Sequence, residues 1–282
     1  MHKTQFSAAA ALVFFGTISL TSCNRDNESQ PAQLTQTQEA RAEEAYPGQT
    51  GETKTGEFSG SPITYQEING EKVYEGDILL TAEQVAAAQG QQRPGSAGRT
   101  TGRWPSAVVY YTIDAALPSQ NRVTDAIAHW QANSPIRFVQ RTTQSNYVTF
   151  RVGSGCSSNI GMVGGRQYVN LASGCTTGNT IHEIGHALGL FHEQTRTDRD
   201  NYVTILTQNI QSGYEGNFTK YSALGYSGTD FGVLDFGSIM MYGSFSFSSN
   251  GQPTIVKKDG STFNIQRTGL SAGDKSGIDA MY

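Results

Sequence analysis

Three of the five histidines in this chain fall in the stretch TIHEIGHALGLFHEQTR, at His182, His186 and His192, with Glu183 and Gly189 between them. On an α-helix each residue advances about 100° and about 1.5 Å, so His182 and His186 stand about 40° apart and roughly 6 Å apart along the axis. Both can reach one metal ion. Glu183 is offset by about 100° from His182, which suits a carboxylate acting on a water beside the ion rather than on the ion itself. His192 could not join them if the helix ran on, because six further residues would carry it about 9 Å along the axis and onto another face. Gly189 is placed to turn the chain back, since glycine takes the left-handed conformation that ends a helix without a Cβ penalty. Three imidazoles with an open fourth position are the coordination of catalytic zinc, whereas structural zinc sites close with four protein ligands and often use cysteine.

The elements that must carry this group lie in the second of two unlike regions. The chain has 282 residues with 20 basic and 24 acidic side chains, a net charge of −4 that offers no broad cationic face for nucleic acid. Residues 1–102 hold 7 basic and 12 acidic residues, and 103–282 hold 13 and 12. At the N-terminus, residues 7–20 are an uncharged apolar run after Lys3, too short to span a bilayer, so residues 1–22 read as a signal peptide. Leu20-Thr21-Ser22-Cys23 resembles the lipobox of bacterial lipoproteins, which makes Cys23 the lipidated first residue of the mature chain. The expected address is the bacterial envelope, at the outer membrane or cell surface, with contact to membrane through the lipid anchor only. Residues 23–61 read as a flexible linker, because Leu34, Tyr46 and Phe58 are the only larger apolar side chains after Cys23.

Residues 62–102 read as a small prosegment and its connector. Short extended pieces (ITY, KVY, DILL) precede Thr81-Ala82-Glu83-Gln84, a capping-box pattern that opens a helix to about residue 88. QQRPGSAGRTTGR, residues 91–103, has the composition of an exposed, cleavable connector. Beyond it, AVVYYTID predicts a strand, and a helix from Ser119 places Val123, Ala126, Ile127 and Trp130 on one face. IRFVQR, YVTFRV and QYVNL are further strands, a helix spans about Asn179 to Leu188, and Ser271 to Met281 offers a closing helix. YVTFRV is the candidate edge strand for pairing with an extended substrate. With Cys23 lipidated, Cys156 and Cys175 remain as a disulfide pair in an oxidising compartment or as two buried thiols; spacing alone does not choose.

HEIGHALGLFHE, with Glu193 directly after the third histidine, resembles the astacin family of metzincin zinc endopeptidases, and Ser238-Ile239-Met240-Met241-Tyr242 resembles that family's Met-turn. The similarity runs from about Trp104 to Tyr282 and includes Cys156, Cys175, RTDRDNYV at 196–203 and Asp235. It implies an α+β fold of two subdomains over residues 103–282, a mixed sheet and the zinc helix above a cleft, and an irregular half with a C-terminal helix below. It implies one Zn²⁺ on His182, His186 and His192, Glu183 as general base, Met240 as an apolar floor, Tyr242 as a stabiliser of the developing oxyanion, and protein or peptide substrates. Glu193 reads as structural. Tyr74-Glu75-Gly76-Asp77-Ile78 resembles the prosegment motif in which an aspartate takes the open zinc position, so Asp77 is the expected zymogen switch, relieved by an activating protease or by self-cleavage between Arg93 and Arg103. One departure stands out: the family's second disulfide has no cysteines here. The competing readings are a zinc-binding surface lipoprotein without turnover, which Glu183 and Tyr242 argue against, and a metzincin of another family, which Glu193 argues against.

Overall fold

The computed structural model describes residues 42–58, 61–86, 102–221 and 230–282. The signal peptide, Cys23 and most of the cleavable connector lie outside the described residues. Two portions, the described residues of 42–86 and those of 102–282, share one nine-stranded sheet with the order β1-β2-β3-β4-β8-β9-β7-β5-β6.

The first four strands come from the early portion: β1 (Glu52–Phe58), β2 (Ser61–Ile68), β3 (Glu71–Tyr74) and β4 (Ile78–Leu80) form an antiparallel meander. Helix α1 (Ala82–Ala86) follows, opened by the reciprocal pair Gln84 N to Thr81 Oγ1 and Thr81 N to Gln84 Oε1. The stretch expected to be a linker to residue 61 is therefore ordered over residues 42–58. Composition misleads here because β1 keeps most of its side chains exposed and is held by its backbone ladder to β2, with Phe58 alone fully buried. Ala42, Glu43 and Ala45 are buried as well, small or charged groups that a count of large apolar side chains does not register.

The later portion supplies β5 (Val108–Ile113), β6 (Arg137–Gln140), β7 (Tyr147–Arg151), β8 (Cys156–Asn159) and β9 (Arg166–Leu171). The pairs β5·β6, β5·β7 and β7·β9 are parallel, and β8 runs antiparallel to β9. Helix α2 (Asn121–Asn133) buries Val123, Ala126, Ile127 and Trp130 in one stripe against this sheet and helix α3 (Thr177–Leu188). Two indoles pin α3 to the core: Trp130 Nε1 donates to the Ile181 carbonyl at 3.0 Å and Trp104 Nε1 to the Ala187 carbonyl at 2.9 Å. After α3 the described residues form mostly short turns, with one small antiparallel pair, β10 (Val203–Ile205) and β11 (Ile255–Lys257), and the closing helix α4 (Ala272–Met281).

YVTFRV is not an edge. As β7 it lies between β5 and β9, and its alternation reflects Val148 and Phe150 entering the core. The strand of the later portion that borders the early portion is β8, which pairs in parallel with β4. A disulfide joins Cys156 on β8 to Cys175 before α3, with Cα atoms 6.0 Å apart.

Candidate metal centre

Helix α3 starts with a two-way cap, the Thr176 side chain accepting from Asn179 N and the Asn179 side chain accepting from Thr176 N. It ends at Gly189, whose φ of 104° is the left-handed conformation that glycine adopts without strain. Its N–H turns back to the His186 carbonyl, and Leu190 N to the Gly185 carbonyl. The chain then reverses and brings the His192 ring to 5.3 Å from that of His182 and 4.7 Å from that of His186, centroid to centroid.

Each imidazole is held by the nitrogen that faces away from the centre. His182 Nδ1 lies 2.7 Å from the Ile239 carbonyl, His186 Nδ1 2.8 Å from the Leu190 carbonyl and His192 Nδ1 2.9 Å from Glu75 Oε2. Carbonyl and carboxylate oxygens only accept, so Nδ1 carries a proton in each ring and Nε2 is the nitrogen turned to the centre, where a metal ion would take the place of any proton on it. All three then face Asp77: Nε2 of His182, His186 and His192 lies 3.2, 3.5 and 3.3 Å from a carboxylate oxygen of that residue. One ligand atom from each of the four residues fits within a 4.8 Å spread, and all four side chains are buried. Among the described residues His186 Nε2, His192 Nε2 and Asp77 Oδ1 have no hydrogen-bond partner, although buried polar atoms ordinarily find one. A tetrahedral zinc with bonds of about 2.0–2.1 Å separates its ligand atoms by about 3.3 Å, so the cluster has the donor types, orientation and size for one zinc ion.

The charge balance agrees with that fit. Burial acts against the Asp77 carboxylate, but His192 and His186 hold it well below the usual range. Burial drives His186 down to about 4. At His192 burial is outweighed by Asp77 and Glu75, which raise it to about 9. A field that favours a proton on that nitrogen also favours a divalent cation in its place.

Glu183 is fully buried beside the cluster, and neither carboxylate oxygen has a hydrogen-bond partner among the described residues. Burial, with the Asp77 and Glu43 carboxylates nearby, pushes its proton affinity well up. The Tyr242 ring lies 4.5 Å from that of His192, and its hydroxyl donates to the Glu75 carbonyl. Met240 packs its sulfur under α3: a Cβ built on Gly185 would sit 2.7 Å from Met240 Sδ. Glu193 accepts from Asp235 N at 3.0 Å, and its own N–H donates to the Met240 carbonyl, so it ties the third histidine's turn to the Met-turn.

Several residues that sequence reasoning passed over complete the site. Glu75, at φ 47°, holds His192, and Gly76, at φ 84°, lets the chain turn so that Asp77 points inward. A side chain on Gly76 would meet Phe247 at 2.7 Å. Asp274 caps α4 through Ser271 N and also accepts from Ser238 Oγ and Ile239 N, so one carboxylate fixes both the closing helix and the turn beneath His182. Glu43 reaches within 3.9 Å of His182 Nε2 from the opposite end of the early portion. Arg267 grips it with both branches of its guanidinium, Nε to Oε1 at 2.5 Å and Nη2 to Oε2 at 2.6 Å, and Asn179 Nδ2 donates to Oε1 at 2.7 Å. Burial opposes that carboxylate, yet Arg267 and His182 bring it down to about 2. The adjacency of Glu75 to Gly76-Asp77 was a usable signal; nothing in the sequence marked Glu43 or Arg267.

The mixed sheet, the helix that carries two histidines, the reversed third histidine and the underlying Met-turn define a metzincin-type fold and metal centre. The model of the Astacin peptidase family matches residues 96–282, well over half of the chain, and the chain belongs to that family. Flavastacin of Elizabethkingia meningoseptica is 35% identical over 301 residues, covering 94% of this chain and 62% of that protein. Blastula protease 10 of Paracentrotus lividus is 37% identical over 204 residues, covering 66% of this chain and 34% of that protein. Among solved structures, high choriolytic enzyme 1, a hatching enzyme zinc-protease from Oryzias latipes, superposes with a TM-score of 0.58 at 32% identity, covering 64% of this chain and 92% of that one. The chain spans about 34% to 62% of the length of these two curated relatives.

Proposed function

We propose that the chain is an exported endopeptidase made in latent form, in which Asp77 occupies the position that a substrate carbonyl and water use in the active enzyme. The observation that supports this most directly is the convergence of the Asp77 carboxylate on three inward-facing Nε2 atoms. His182, His186 and His192 would hold one zinc ion, which when bound supplies Lewis-acid polarisation and makes water a stronger acid. Glu183, buried and with both oxygens free, takes the proton from the attacking water and returns it to the leaving amine. The peptide bond breaks without a covalent enzyme intermediate. The Tyr242 hydroxyl is released from the Glu75 carbonyl when the early portion departs, and it then donates to the oxyanion that develops on the scissile carbonyl. Departure of β4 also uncovers β8, where Ser158 N now donates to the Asp77 carbonyl at 3.1 Å, leaving a strand edge for an extended peptide.

Cleavage between Arg93 and Arg103, by another protease or by the enzyme itself, detaches residues 42–86. Export by residues 1–22 and lipidation of Cys23 would place the latent form at the envelope, and the same cleavage would free the catalytic portion from its anchor. Fatty-acid labelling of the wild type that disappears in Cys23→Ala tests the anchor. For the enzyme, the expected result is one zinc per processed chain and cleavage of casein that stops on chelation and returns with zinc. Processed protein without stoichiometric zinc, or degradation unaffected by exhaustive chelation, overturns the reading.

A further inference from the structure

The three histidines do not draw their outer partners from the same part of the chain. His182 Nδ1 and His186 Nδ1 rest on the carbonyls of Ile239 and Leu190, both in residues 102–282. His192 Nδ1 rests on the carboxylate of Glu75, which belongs to the early portion. A backbone carbonyl is a neutral acceptor; Glu75 brings a full negative charge to the outer face of one ring.

Among the described residues the Glu75 side chain has no other hydrogen-bonding task. The residue is 1% exposed, Oε2 meets His192 Nδ1, and Oε1 has no hydrogen-bond partner among the described residues. The Arg199 guanidinium lies near enough to interact with its charge but not by a hydrogen bond, so the carboxylate's one directed partner is an imidazole, a costly burial unless that ring carries positive charge or becomes a stronger donor. A metal ion on Nε2 does the latter, because it withdraws electron density from the ring and strengthens the Nδ1–H to carboxylate bond; by the same coupling the carboxylate makes Nε2 a better ligand. The backbone supports the placement. Glu75 takes φ 47°, a conformation uncommon for a side chain other than glycine, and its carbonyl receives the hydroxyl of Tyr242, whose ring lies 4.5 Å from that of His192. One residue therefore grips the third histidine directly and through its aromatic neighbour.

We propose, resting on the latent-endopeptidase reading above, that Glu75 is a positioning residue for the zinc ligand His192 and that the latent chain consequently holds zinc more tightly than the processed enzyme. The early portion then serves to load the metal as well as to block it. Asp77 adds a donor to the ion itself, and Glu75 raises the strength of a donor already present; both leave together when residues 42–86 are removed.

The test measures zinc affinity by competition with a chromophoric chelator, which needs no turnover. It compares the full-length wild type, full-length Glu75→Gln, Glu75→Ala and Asp77→Asn, and the processed wild type. Glu75→Gln keeps the shape and an acceptor but not the charge, and is expected to weaken zinc binding by about tenfold; Glu75→Ala should approach a hundredfold, the span seen when an outer partner of a metal-bound histidine is lost. The processed wild type should bind more weakly than full-length Asp77→Asn, because it lacks both carboxylates. In cobalt-substituted full-length protein at saturating metal, Glu75→Gln should shift the visible absorption bands, a change that a residue acting only on folding would not cause.

Full-length Glu75→Gln and Glu75→Ala with wild-type zinc affinity and an unchanged cobalt spectrum overturn the inference and leave the endopeptidase reading standing. Equal zinc affinity in the latent and processed wild type overturns it as well, and this comparison needs no variant to fold. A full-length and processed wild type that both bind stoichiometric zinc with the expected difference, but of which the processed form cleaves no peptide, overturns the endopeptidase reading alone. Absence of stoichiometric zinc from both forms overturns both.

Discussion

Residues 42–86 and residues 102–282 meet at one centre with complementary chemistry. The early portion brings acceptors, the carboxylates of Glu43, Glu75 and Asp77 and the carbonyl of Glu75; the later portion brings the imidazoles, the Arg267 guanidinium, the Asn179 amide and the Tyr242 hydroxyl. The two also differ in how they hold themselves together. The later portion has a core of its own in which Trp104, Trp130, Phe150, Leu171, Ile184 and Met240 share one cluster, with a disulfide at its margin. The early portion places Phe58, Ile63, Tyr65, Tyr74, Ile78 and Leu80 in a cluster with Ile160, Phe191 and Tyr221 of the later one. Apart from a small cluster of its own, Ala45, Ile68, Val73 and Leu79, the early portion thus shares its core with the later one, which fits the proposal that it is removed as a unit.

The contrast can be broken most severely at Glu183. Glu183→Gln in the processed protein should lower peptide hydrolysis by about a thousandfold or more while zinc content and far-ultraviolet circular dichroism stay unchanged; near-normal turnover would remove it as the base. Next in size is Asp77→Ala in the full-length chain. It should give peptide hydrolysis before any cleavage in the 91–103 connector, detected by assaying activity alongside the intact mass, and a variant as silent as the wild type would mean that the early portion blocks the cleft by coverage alone. Glu43→Gln should release latency less than Asp77→Ala, because it weakens the hold of the arm on Arg267 and leaves the Asp77 carboxylate on the histidines.

Two smaller effects test the self-sufficiency of the later portion. Replacing Cys156 and Cys175 together by Ser should lower unfolding stability by about 3 kcal/mol, measured by denaturant titration of the processed protein, since the bridge closes a loop between positions 19 apart. Gly189→Ala should cost about 1 kcal/mol through its left-handed backbone, with loss of zinc affinity if the turn that returns His192 is loosened. A thermal shift assay with and without zinc separates the two contributions.

Local chemistry was legible in the chain because it depends on residues close in sequence. The four-residue step between His182 and His186, the glycine that ends the helix before His192, the face of α2 carrying Val123 and Trp130, and the Ser271 cap of α4 follow from helix geometry and backbone preference at neighbouring positions. Tertiary structure alone decided which strand borders which. YVTFRV alternates as a half-buried edge would, yet it sits inside the sheet, because alternation reports the two faces of a strand and says nothing of its lateral neighbours. It also decided that residues 42–58 are ordered, since their order comes from a partner strand, the Glu43–Arg267 pair and the burial of a few small or widely spaced side chains. Glu43 and Arg267 are 224 positions apart, and Glu75 and His192 are 117 apart. Contacts over such separations are fixed by how whole elements pack, which is why no local pattern announced them.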